Sequence, residues 1–159
     1  VPYELHSNDH IWESHVELDK FLLDRLLDDR SISVVHLAVH GEAGGLILRW
    51  SAEPEIENRR PLEVLTPTAI GTMPGWSGRM VVSGACFSGY LAESFLAAGA
   101  SAVIAPMRDI PWPRLGLFFR YSYSSCMQTL VPENALSSAL LQYPEYWPYR
   151  VFGGRRCSR

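Results

Sequence analysis

Two kinds of apolar pattern take turns along this chain. Residues 11–29, IWESHVELDKFLLDRLLDD, place Val16, Leu18, Phe21, Leu22 and Leu26 at helical spacing with charges on the opposite face, which predicts an amphipathic helix. Ser31 ends it. SVVHLAV (33–39) follows, a short β-branched run apolar on both sides, as expected of a buried strand in a parallel sheet. HGEAGG (40–45) reads as a loop and LILRW (46–50) as another strand. SAEPEIENRRP (51–61) is polar, charged and proline-bounded, a surface excursion. EVLTPTAIGTMP (63–74) is predicted to hold a short helix capped by Thr66, with Pro67 at its first position.

The second half repeats the alternation. RMVVSGA (79–85) is a buried strand, CFSG (86–89) a turn, and YLAESFLAAGA (90–100) a helix closed by Gly99. SAVIAP (101–106) is a further strand stopped by Pro106, and MRDIPWP (107–113) a rigid loop. Residues 114–130 and 133–142 predict two helices, the first rich in aromatics. The segment YPEYWPYRVFGG carries aromatics between prolines and is expected to pack extended on the body. Strands alternating with helices imply an α/β fold, a mostly parallel sheet with helices on both faces. We expect one domain over 1–159, with a core at about 11–142 and a tail at 143–159.

Composition narrows the function classes. With 47% hydrophobic and 19% charged residues the chain has the balance of a folded domain. Its net charge of −3 argues against a broad nucleic-acid footprint, and the one basic cluster, Arg155, Arg156 and Arg159, reads as a solvated tail. No apolar run approaches the ~20 residues of a membrane span, so no membrane partner is expected. The first residues, VPYELHSNDH, are polar and acidic, unlike a signal peptide. The chain opens on Val1 rather than Met, as an excised or processed piece of a longer protein would. Cys86, Cys126 and Cys157 are too few and scattered for a disulfide framework or zinc spacing, which points to a reduced, cytoplasmic setting. No metal or cofactor is called for.

Two reactive residues sit at strand ends. His40 follows the run 34–39 and Cys86 follows 80–85. If those strands are parallel neighbours, both side chains emerge on one edge of the sheet, where ligands bind in α/β folds. A thiol there can give its proton to an imidazole, and the helix beginning near Gly89 would favour the thiolate further. The N–H groups of Gly41 and Cys86 are candidate oxyanion donors, while Gly84 and Gly89 allow a sharp turn around the thiol.

VVHLAVHG (34–41) and VVSGACFSG (81–89) resemble the paired histidine and cysteine blocks of the caspase-like cysteine peptidases, which include caspases, metacaspases, gingipains, separases and bacterial CHAT domains. The layout is most similar to a CHAT domain: H-x-A-x-H-G, a short L-x-L strand, a helix near 65–72, the cysteine strand, then a helix ending in AAGASAVIAP. The likeness spans roughly residues 33–140 and rests on the order and spacing of the blocks. It implies a three-layer caspase-like sandwich and a cysteine endopeptidase with His40 as base, Cys86 as nucleophile and Gly41 as oxyanion glycine. It also implies a bacterial signalling or defence role, with a protein or peptide substrate and an activating sensor domain or subunit. Caspases carry Gln, and metacaspases Asp, two residues before the cysteine; here that position is Gly84, so neither specificity transfers. Separases use an acid in the loop after the next strand, and Asp109 stands at about that place, which implies a preference for Arg or Lys before the cut bond.

Plainer readings stand beside these. Cys86 can be a small buried hydrophobe, and the fold can serve as a non-catalytic interaction module. Cys126 fits core filling. His36 fits a hydrogen-bonded core residue on the same face as His40. His6, His10 and His15 form either a weak metal motif or a solvated segment. Ser88 lacks G-x-S-x-G and reads as a turn residue, and Glu42 as an exposed loop acid. Trp112 and the aromatics of the tail fit packing better than a peptide groove. If the basic preference holds, Arg59-Arg60 becomes a self-cleavage candidate, although exposed arginine pairs are common in loops.

Overall fold

The computed structural model of the chain describes residues 20–42, 44–50, 61–129 and 131–154. Its principal sheet has four strands. β1 (Val34–Leu37), β5 (Met80–Ser83) and β6 (Ala102–Pro106) run parallel, and β7 (Tyr149–Gly153) lies antiparallel on the outer side of β6. A smaller antiparallel sheet is made of β2 (His40–Glu42), β3 (Gly45–Trp50) and β4 (Pro61–Leu65). The fold is therefore mixed α/β with a mostly parallel sheet of four strands.

Side-chain alternation along the buried strands feeds two apolar clusters. Val81, Val103 and Ala105 pack with Leu23 and Leu27 of α1 (Lys20–Asp28), Ile70 of α2 (Pro67–Thr72), Phe95 of α3 (Ala92–Ala97), and Trp76. Met80, Val82, Ala102 and Ile104 pack with Phe118 and Phe119 of α4 (Leu115–Thr129) and Ala135 and Ala139 of α5 (Pro132–Gln142). Each large apolar side chain so buried contributes about 1.5–3 kcal/mol. Among the described residues, no helix is long and apolar enough to cross a membrane.

Local signals behaved as chemistry requires. Thr66 accepts from Ala69 N at 3.2 Å and Pro67 opens α2. Beyond α3, Gly99 adopts φ +97° and the Gly99 and Ala100 N–H groups return to Leu96 and Phe95, closing the helix in a Schellman turn.

Several expectations need correction. HGEAGG is not simply a loop, because His40–Glu42 pairs with β3; residues 61–65 form a strand where the end of the surface excursion and the approach to the Thr66-capped helix were expected. Partners supplied by β3, remote from any local pattern, decide both cases. The strands before His40 and Cys86 stop at Leu37 and Ser83, short of 39 and 85. Tyr149–Gly153 is a strand of the principal sheet, and Tyr146 and Tyr149 belong to its core, so the sheet extends into the segment read as a tail. The helix expected over 11–29 is described from Lys20 only. Residues 11–19, the histidines of HSNDH, Arg59-Arg60 and Cys157 lie outside the described residues.

Candidate active site at the carboxyl edge of the sheet

Strand register brings the two reactive blocks together. Leu37 and Ser83 are paired Cα partners at the ends of parallel neighbours, and the Gly84 N–H donates to Leu37 O at 2.8 Å, extending the ladder one step. His40 and Cys86 each lie the same short distance in sequence beyond those paired ends. The two segments then touch: a Cβ built on Gly41 would collide with the carbonyl oxygen of Cys86 and lie 2.9 Å from Ala85 Cβ. Only glycine allows this approach.

The cysteine turn is braced from beneath. Buried Ser88 donates its hydroxyl to Ala85 O at 2.6 Å, and the Ala85 N–H donates to Ser83 Oγ at 3.2 Å. Ser88 thus has the turn role expected of it. Phe87, next to Cys86, takes a left-handed φ of 59°, a strained choice for a bulky residue. Gly89 presses against Pro106 and Met107 at the end of β6, where a Cβ would meet Pro106 O at 3.0 Å.

The Cys86 side chain is partly covered, and the Ile110 N–H donates to its Sγ at 3.5 Å. Burial, first of all, holds its pKa above the ordinary thiol range. The Ile110 N–H works against this, whereas the Asp109 carboxylate adds to the rise by accepting from the thiol and by its charge. The helix-dipole assistance expected from the sequence does not prevail. α3 begins only at Ala92, after a 3-10 turn, and the dipole fades beyond the first turn of a helix.

His40 is exposed, and its ring centre lies 5.5 Å from that of Trp112, which is itself 52% exposed. Trp112 is thus a flank of the histidine rather than a packed core residue. His36 is separate: its ring stands edge-on to Phe119 at 4.3 Å, desolvation lowers its pKa to about 4, and its Nε2 has no hydrogen-bond partner. The expected core location holds; the expected hydrogen bond at Nε2 is absent. Cys126 fills the core as expected.

Compared with known proteins, the chain matches no family model and no curated sequence.

Beside the cysteine turn opens a cleft of ≈ 470 Å³, lined among others by Phe87, Tyr90, Arg108, Asp109, Glu145 and Trp147. Its far wall comes from the segment after α5. Glu145 pairs with Arg114 at 3.2 Å, Arg114 lies 4.9 Å from the Tyr143 ring centre, and the Tyr146 hydroxyl donates to Pro113 O. Of these wall residues the sequence pointed to Asp109 and, among the tail aromatics, to Trp147, for which packing was expected; Trp147 is instead 54% exposed on the cleft. Glu145 carried one available signal, an acid among aromatics between prolines, and its long separation from Cys86 hid its meaning.

Proposed function

We propose that this chain is a caspase-like cysteine endopeptidase, with the three-layer architecture of that group. Cys86 is the nucleophile and His40 the general base, and a protein or peptide is cut after a basic residue. Bringing Gly41 against the Cys86 carbonyl is the observation that carries the reading, because it seats the histidine block on the cysteine block at the edge where α/β folds bind ligands. Asp109, in the wall of the adjacent cleft, supports a cationic side chain before the cut bond.

Chemically, His40 takes the thiol proton as Sγ bonds to the scissile carbonyl carbon. The resulting oxyanion takes hydrogen bonds from the N–H groups of Gly41 and Cys86. The tetrahedral species collapses as the C–N bond breaks, and His40 passes the proton to the leaving amine. Water, deprotonated by His40, then hydrolyses the thioester. Trp112 flanks the imidazole, its ring centre 5.5 Å away.

A second reading has one specific observation in its favour: the resting thiol is held protonated rather than activated, which suits a non-catalytic interaction module. A peptidyl-arginine chloromethyl ketone separates the two. The peptidase should be labelled stoichiometrically on Cys86, with labelling slowed at least ~100-fold in His40→Ala, the usual scale of general-base assistance. Labelling indifferent to His40 would leave the interaction module standing.

A further inference from the structure

Asp109 stands between two features with different needs. Towards the sheet edge, Asp109 is held against the cysteine turn by its neighbours: the Phe87 N–H donates to Arg108 O at 3.4 Å and the Ile110 N–H to Cys86 Sγ at 3.5 Å, and the Asp109 carboxylate opposes ionisation of the thiol. Towards solvent, Asp109 lines the ≈ 470 Å³ cleft. The other acid there, Glu145, is already engaged by Arg114 at 3.2 Å. The cleft also holds a cation of its own, since the Arg108 guanidinium carbon lies 5.5 Å from the centre of the Trp147 ring. Trp147 is therefore a platform on which a guanidinium rests, in a cleft shared with an exposed carboxylate next to the cysteine turn.

One carboxylate cannot favour a neutral thiol and neutralise an incoming cation at full strength in both roles. We propose that Asp109 is shared between the Cys86 thiol and a guanidinium or ammonium bound in the cleft, so that filling the cleft releases the thiol for reaction. Asp109 then restrains the nucleophile at rest and recognises the substrate when it arrives. A cationic side chain displaces Arg108 from Trp147, pairs with Asp109 and cancels the charge that opposes thiolate formation. The S–H proton passes to His40, and Sγ carries the electron pair to the substrate carbon. The proposal rests on Cys86 being the nucleophile and adds that substrate charge switches it on.

The test reads alkylation rather than proteolysis. Full-length protein is treated with iodoacetamide at pH 7.0, with and without agmatine at matched ionic strength, and modification of the Cys86 peptide is followed by mass spectrometry. In this reaction the S–C bond forms, iodide leaves, and the thiol proton goes to the imidazole or to water. Agmatine should accelerate alkylation roughly tenfold, the change in thiolate for one pKa unit. Asp109→Asn should react fast from the start and ignore agmatine. Arg108→Ala should keep the response but reach half of it at roughly two- to fivefold less agmatine, having lost the competing stack. Slower or unchanged alkylation in agmatine overturns the proposal, as does equal acceleration by sodium chloride alone. If Asp109→Asn does not fold, the wild-type and Arg108→Ala results decide. Acceleration without any peptide cleavage removes the peptidase reading and keeps the coupling, while cleavage without acceleration does the reverse.

Discussion

A methyl group at position 41 has no room, because it meets the Cys86 carbonyl oxygen and the Ala85 side chain. Gly41→Ala should therefore push the β2–β3 hairpin away from the cysteine turn, lowering stability by ~1–3 kcal/mol as overpacking does and abolishing His40-dependent labelling of Cys86. Gly71 is the control: nothing lies within 4 Å of its Cβ position inside α2. Gly71→Ala should raise stability in urea by ~0.5–1 kcal/mol and leave labelling intact. His36 supplies a second test. Its pKa is lowered from 6.5 to about 4 by desolvation, so between those values the unfolded chain binds a proton that the native ring refuses. Above pH 6.5 both states are neutral at this site; as pH falls from 6.5 towards 4, about 3 kcal/mol of stability is lost. Urea midpoints at pH 7.5 and 4.5 should show this loss, reduced in His36→Leu. At this scale the identities of His40, Cys86 and Asp109 were legible as chemistry at strand ends. The contact that decides Gly41 was not, because Ala85 and Cys86 lie far along the chain.

Helix α1 ends against an arginine from another element. Buried Arg79, just ahead of β5, donates Nη1 to Leu27 O at 2.8 Å, Nε to Ile32 O at 2.9 Å and Nη2 to Asp29 O at 2.5 Å. The guanidinium thereby serves a carbonyl orphaned at the helix end and two from the link into β1. Arg79→Ala should cost ~2–4 kcal/mol, since buried acceptors lose their partner. Hydrogen exchange should rise across residues 20–33, and Arg79→Lys should recover little, lacking the planar fork. Thermal unfolding with exchange mass spectrometry reads both outcomes. The contrast with α2 shows what was legible among the elements. Thr66 and Pro67 announce that helix because cap and first turn are neighbours in sequence. The acceptors of Arg79 lie 47 to 52 residues away, and no local pattern marks them.

Across the whole molecule, the segment after α5 closes the sheet and walls the cleft. Tyr146 and Tyr149 are fully buried, and the Tyr149 hydroxyl donates to Ser83 O at 3.1 Å, tying the edge strand to the end of β5 beneath the cysteine turn. Ending the chain after Gln142 should remove cooperative unfolding and cause aggregation, because it bares the β6 edge and opens the core. Tyr149→Phe keeps the shape and should cost only about 1 kcal/mol in a urea titration, the worth of one hydrogen bond. By itself, the amino-acid order determined the buried parallel strands, the helices α2 to α5, the cap at Thr66, the closing role of Gly99 and the placement of His40 and Cys86 beyond strand ends. Each follows from periodicity or from groups only a few residues apart. Tertiary structure alone decided that 40–42 and 61–65 pair with β3, that 149–153 completes the principal sheet, and that Glu145 and Trp147 face Asp109. The reason is physical: strand pairing and cleft walls join residues distant along the chain, and their hydrogen bonds and contacts exist only once the intervening segments have packed.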